Sequence, residues 1–307
     1  MNAVVAFLVG VMAMFGFVPR AYNQNVDRIV RRSTIVYSAD AIRRNITLCV
    51  TEKRPCVLEL GDDIDVAGRG FALPIGLKSF RVDGGDTYRF IVSRDTPFLF
   101  KALGAARAGA GFPVDIANVD ILLKPGVNVE TMFIVDQAFS VLDAQLTTFS
   151  VRGVKIDAGD GQVTGNDRSV TNIFGLADRV GALGHIVVDG LTALNAKNVF
   201  AVDDTLSAWV FSQVRNALFD GFDGGPTTIG AGPASAAFVS CLFQSVFGSI
   251  TVSTGVQSTE NLWSVVGGNT SGAFITNDPG GIKPQTLVRV SQFSPKTLSP
   301  GDKDLDL

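Results

Sequence analysis

The sequence predicts an all-β chain wound as a right-handed parallel β-helix, led by a short apolar helical segment. Three observations carry that expectation. After residue 55 helical periodicity is scarce, and short apolar pieces alternate with Gly, Asp, Asn and Ser. The pieces recur when aligned on a small or kinking residue: "DIANVDIL" at Asn118, "SVRGVKID" at Gly153, "VVDGLTAL" at Gly190, "QVRNALFD" at Asn216, "FVSCLFQS" at Cys241 and "LWSVVGGN" at Val265. The last three steps are 26, 25 and 24 residues, the period of a stacked solenoid, and the earlier steps of 35 and 37 leave room for insertions. Lastly, 33 glycines and 22 phenylalanines against 3 tyrosines describe many turns around a well-filled interior.

The chain opens with "MNAVVAFLVGVMAMFGFVP", which carries no charge. Its length qualifies it as a membrane span, but it lacks the basic start and small-residue cleavage site of a signal peptide. Val4, Leu8, Val11, Phe15 and Val18 recur at spacings of 4, 3, 4 and 3, the period of a coiled-coil seam. Ala3, Ala6, Gly10 and Ala13 form a stripe of small residues beside it. The pattern favours a helix buried against other copies or a larger assembly, with membrane insertion as the alternative. Residues 19–37, with Pro19, "YNQN" and "DRIVRRS", read as a basic linker. The expected organisation is an anchoring segment over 1–37, the β-helix over 38–290 with a capping helix at 38–46, and a polar tail over 291–307.

"SADAIRRNI" supplies that helix, with Ser38 or Asp40 as N-cap. In the coil that follows, one turn of short strands cannot bury its apolar face alone. Stacking sets each strand ~4.8 Å from its equivalent in the next turn. Val151, Val154 and Ile156 are expected to point inward in one turn, with Val188 and Leu191 in the next. Gly or Asn at the bend tolerates backbone angles that other residues resist. Chain chirality makes the coil right-handed.

Composition narrows the function classes. A net charge of −3 supplies no general attraction to nucleic acid, although the first 60 residues lean basic. Cys49, Cys56 and Cys241 have neither disulfide-framework nor metal-ligand spacing, and read as buried free thiols suited to a reducing cytoplasm.

Residues 38–125 resemble the entry of the pectate-lyase-like right-handed β-helix found in bacteriophage tailspikes and related virion proteins. The shared order is a capping helix at "SADAIRRNI", a first strand in "CVLELGDDIDV", a Leu73–Pro74 step, and the strand, glycine pair and strand of "LKSFRVDGGDTYRFIV". The family's common Pro-x-Gly-x-Tyr after the first strand is replaced by Gly61-Asp62-Asp63. The resemblance implies a homotrimer of chains packed side by side, attached to a virus through the N-terminal end.

Polysaccharide cleavage on such a fold needs paired carboxylates, or calcium-binding acids with a basic proton acceptor. Asp157 with Asp160, Asp203 with Asp204, and Asp220 with Asp223 are the available pairs. Asp203, Asp204 and Asp220 are the candidates if the chain is an enzyme. Aspartate is also a preferred turn former, and that reading is favoured for each pair. His185, the one histidine, has no partner motif. "DAGDGQVTGND" lacks the alternating acids of an EF-hand loop, so no metal or cofactor is expected. Phenylalanine dominates the aromatic residues and belongs in the core, leaving Trp209 and Trp263 as possible contacts for glycan or partner. The leading expectation is a non-enzymatic virion structural protein of a tailed phage, a tailspike-like or capsid-decorating spike assembled in the host cytoplasm. Its expected partners are other virion proteins and host surface polysaccharide. The alternatives are a polysaccharide lyase or hydrolase and a membrane-tethered bacterial surface β-helix.

Overall fold

The computed structural model describes residues 33–103, 111–136, 147–158, 169–176, 183–201, 208–210, 212–219, 227–229, 237–239, 242–248, 250–252, 257–259, 262–266 and 287–291. The strands over these residues pair in parallel throughout.

The described chain begins with β1 (Thr34–Val36), which pairs with β2 (Cys56–Leu60). The expected linker over 19–37 therefore ends in a strand, because Val36 alternates into the core while Ile35 stays outside. Helix α1 (Ala39–Thr51) starts where predicted: the Ser38 hydroxyl accepts from the Ala41 N–H at 3.2 Å. It runs past the expected end at residue 46, because Ala39, Ile42, Ile46 and Cys49 continue one buried stripe.

Next come β3 (Ile64–Asp65), β4 (Phe71–Leu73), β5 (Phe80–Asp83), β6 (Arg89–Val92) and β7 (Thr96–Leu103). The Gly84–Gly85 pair separates β5 from β6, as expected. Longer strands follow: β8 (Val114–Leu123), β9 (Asn128–Asp136), β10 (Thr148–Asp157), β11 (Ser169–Leu176), β12 (Leu183–Leu194) and β13 (Ala196–Ala201). The remaining strands are β14 (Ala208–Val210), β15 (Gln213–Phe219), β16 (Thr227–Ile229), β17 (Ala237–Val239), β18 (Leu242–Gly248), β19 (Ile250–Val252), β20 (Gln257–Thr259), β21 (Leu262–Val266) and β22 (Leu287–Ser291).

The chain alternates between two sheets. The larger runs β1-β2-β5-β8-β10-β12-β15-β18-β21-β22, with β3-β6 and β14-β17-β20 as side branches, and the smaller runs β4-β7-β9-β11-β13-β16-β19. Successive visits to one sheet therefore stack each new strand on the last. The fold is mostly β, with parallel strands in stacked sheets.

Register turns equivalent positions into columns. In the larger sheet Ile116, Val151, Val188 and Val214 align, as do Val119, Val154 and Leu191. All seven are buried, and so is Ile156, so every residue expected to face inward in those strands does so. The smaller sheet aligns Phe71, Phe100, Phe133, Phe174 and Phe200 into one column of fully buried rings. Successive centroids lie 5.2, 6.2, 5.5 and 5.6 Å apart, within the range of offset-stacked rings. Arg43 of α1 lies over Phe71 at 5.3 Å and also binds Asp40 and the Arg69 carbonyl, closing the first end of the column. Trp209 packs edge-on against Phe200, at 5.1 Å, near the other end.

The bends form a further column. Asn118, Gly153, Gly190 and Asn216 fall in register and have φ of 50°, 57°, 75° and 50°. This left-handed backbone favours Gly and Asn. At Gly153 space is limiting as well, because a Cβ would stand 2.9 Å from Asn118 Oδ1. The expected alignment thus holds over these four residues and then shifts. The pairs Arg215↔Gln244 and Ala217↔Val246 bring Ser245, not Cys241, beneath Asn216. Val265 pairs with Val246, one position beyond the bend, where the register is irregular. Equal sequence spacing is a poor guide there because the connections differ in length.

Phe133→Ala, in the middle of the ring column, is expected to cost about 3–5 kcal/mol by the usual cavity penalty, measured by urea denaturation. Gly153→Ala is expected to cost at least about 1–2 kcal/mol from the left-handed backbone alone. The same measurement on Asn118→Gly should show a much smaller change.

Candidate functional site

The solvent side of the larger sheet sets several ionisable residues in columns. Inward Val82, Ile116 and Val151 alternate with outward neighbours, so Arg81 and Asp115 share a register, as do Arg152, Asp189 and Arg215. Asp115 sits at the centre. Arg152 grips it with a fork, Nη2 at 2.6 Å from Oδ2 and Nε at 3.1 Å from Oδ1. Arg81 Nε approaches the same carboxylate at 3.7 Å, while its Nη2 donates to Asp83 Oδ2 at 2.8 Å. Four side chains from three strands thus form one chain of alternating charge.

Asp83 stands just before the bend and serves it. Its Oδ1 accepts from the Gly85 N–H at 3.0 Å and from Asn118 Nδ2 at 3.3 Å. The arrangement recurs further along the sheet, where Asn216 Nδ2 donates to Asp189 Oδ1 at 2.8 Å. Burial pushes the Asp83 carboxyl up, but the bonds from Arg81, Gly85 and Asn118 outweigh it and hold the group below the ordinary aspartate range.

A second cluster lies on the side branch β3-β6, beside the end of β8. Asp63 accepts from the Arg89 N–H at 3.1 Å and from Arg89 Nε at 2.9 Å. Asp65 accepts from Ser93 at 2.6 Å and from the Ala67 N–H at 2.8 Å, with Lys124 Nζ at 3.9 Å. Burial raises the Asp65 pKa, but these contacts more than reverse it, chiefly the Ser93 hydroxyl and the Ala67 amide. On the smaller sheet, Asn198 donates to Asn172 at 2.9 Å, and Asn172 donates to Thr131 at 3.3 Å. All these groups tie one stacked strand to another or hold a turn. Among the described residues, no three His, Cys, Asp or Glu side chains gather as a metal site would require.

Of the residues singled out from sequence, Asp157 ends β10, 3.3 Å from Lys155 and in register with Leu122 and Leu194. That places it at a strand end beside a cation, as a corner residue. His185 is buried near the start of β12, in register with Thr148. Trp209 is fully buried, edge-on to Phe200 and to Phe174, so its ring belongs to the core and offers no surface for a sugar. Trp263 lies in β21, in register with Phe243 and Val288. Cys49 and Cys56 are buried free thiols, as expected. Asp160, Asp203, Asp204, Asp220, Asp223 and Cys241, and the seam Val4, Leu8, Val11, Phe15 and Val18, lie outside the described residues. No helix among the described residues is long and apolar enough to cross a membrane.

Asp83, Asp115, Arg81 and Arg152 escaped notice in the sequence because they are far apart along it. One signal was present: Arg152, Asp189 and Arg215 each immediately precede an aligned bend residue.

The two depressed carboxyls give stability a pH dependence. A folded pKa below the unfolded value of about 3.9 adds stability above that pH, and the gain is lost as pH falls through the folded pKa. The urea midpoint is therefore expected to be level between pH 5 and 7, as far as these two groups set it, and to drop below about pH 4. An Asp65→Asn, Asp83→Asn chain should start lower at neutral pH and lose less on acidification.

Compared with family models, curated proteins and solved structures, the chain matches none.

Proposed function

We propose that the chain is a closed right-handed parallel β-helix serving as a non-enzymatic structural spike of a tailed-phage virion, tailspike-like or capsid-decorating, with its N-terminal end as the attachment end. The observation that carries the reading is the in-register parallel stacking, with an aligned phenylalanine in each of the first five strands of the smaller sheet. Right-handedness follows from the crossover rule for parallel strands. Each turn of such a coil is supported by its neighbours, which suits a rigid projecting element. The outward carboxylates support a structural role, since Asp63 and Asp115 are held by arginines of neighbouring strands and Asp83 by Arg81 of its own strand.

Copies of the chain associate side by side in this reading. Register aligns Leu218, exposed at 40%, with Phe247 and, through Phe247, with Val266. The face that carries the exposed Leu218 is complemented by the same face on another copy, and three copies close the set. The uncharged N-terminal segment then meets capsid, portal or tail protein, and the coil projects toward host glycans.

Antibodies against the purified chain are expected to label phage particles released from the source host, and sedimentation of the full chain should give a trimer. Labelling confined to host cells would overturn the virion assignment. Release of reducing ends or unsaturated sugars from host polysaccharide, lost in Asp203→Asn or Asp204→Asn, would replace the spike with an enzyme.

A further inference from the structure

The cap at the start of the stacked sheets holds a feature that the spike reading does not use. Cys49 is the last member of the buried stripe of α1, and Cys56 is the first buried residue of β2. Both are fully buried in the same core, and their side chains are near enough to interact. The turn between them is tied back to the helix, because the Arg54 N–H donates to the Cys49 carbonyl at 3.0 Å. The start of β2 is pinned from the other side, where the Cys56 N–H donates to the Ser79 carbonyl at 2.9 Å. Two neighbouring buried thiols, on elements each held in place, differ from cysteines that merely fill space.

We propose that Cys49 and Cys56 form a disulfide-forming site that locks the capping helix onto the first core strand when the chain meets oxidising surroundings. The substrate class is a small disulfide such as oxidised glutathione. One cysteine thiolate attacks it, forming a mixed disulfide and expelling one glutathione thiolate. The second cysteine, as thiolate, then attacks the protein sulfur of that mixed disulfide and expels the other. Two protein thiols are thereby oxidised to one disulfide, oxidised glutathione is reduced to two thiols, and the protons released by the cysteines are taken up by the departing thiolates or by water.

The environment sets the rate. Burial, followed by the neighbouring Cys49 thiol, pushes the Cys56 thiol well above its ordinary range, so the folded cap holds little thiolate. Exchange proceeds through local opening of the cap. The link forms slowly in buffer and much faster when the cap is loosened.

The test uses the full chain in glutathione redox buffers, with and without urea below the unfolding transition. Free thiols are then blocked and the peptides mapped by mass spectrometry. The expected product lacks two hydrogens, joins Cys49 to Cys56 and carries the blocking group on Cys241. Its melting temperature should rise by at least about 2 °C and fall back on reduction. Urea should speed its formation about tenfold or more, following the opening equilibrium. A Cys241→Ser chain should behave the same way, whereas Cys49→Ala and Cys56→Ala should each yield no internal link. Glutathione adducts alone, pairing with Cys241, a link that lowers the melting temperature, or no link even in urea would each overturn the proposal. None of these outcomes bears on the virion assignment, which particle labelling decides separately.

Discussion

The column of Phe71, Phe100, Phe133, Phe174 and Phe200 is the contact on which the stacked architecture depends. Parallel pairing sets equivalent residues ~4.8 Å apart, close to the separation at which offset aromatic rings meet. One phenylalanine at the same position of these five strands therefore satisfies the ladder and the ring packing together. A slip of one residue would send the ring to the opposite face and leave a void behind it. Register is held by the interior, and the rest of the structure inherits it.

The ends of the column show the same constraint. Its first ring faces the end of a stack and needs a cover, which α1 supplies through Arg43 while its apolar stripe seals the neighbouring core. A guanidinium suits the place because its flat face lies on the ring while its edges still reach Asp40 and the Arg69 carbonyl. Without a cap, the exposed edge of a parallel sheet would offer unpaired backbone to any other chain. The cysteine pair lies where this cap meets the first core strand, so its redox state bears on how firmly the stack is closed.

The outer face is a consequence of the inner one. Once the valines and phenylalanines align, Arg81, Asp83, Asp115 and Arg152 are brought together with no choice of partner left. Exposed ion pairs of this kind contribute only about 0–1 kcal/mol each, far less than the buried rings, so they follow the register and do not set it. Asp83 and Asp189 do more, because their carboxylates also steady the left-handed bends. A surface of carboxylates already engaged by arginine and amide groups is suited to holding a shape. That supports the structural role proposed for the chain.

Much of the fold was legible in the residues alone. The strand-rich composition, the capped helix from Ser38, and the aligned bends at Asn118, Gly153, Gly190 and Asn216 follow from local rules: side-chain hydrogen bonding at a helix start, and backbone freedom at Gly and Asn. The inward set Val151, Val154, Ile156, Val188 and Leu191 follows from alternation with a slip at the bend. The phenylalanine column was not legible, because its members are separated by unequal stretches and the unequal connections hide their equivalence. Nor was the burial of Trp209 or the meeting of Arg81, Asp115 and Arg152, since each partner comes from a different strand. Sequence by itself determined which residues could bend, cap or face inward, because those are properties of neighbours along the chain. Only the tertiary structure decided which of them stand above one another, because parallel register depends on how much chain each connection consumes.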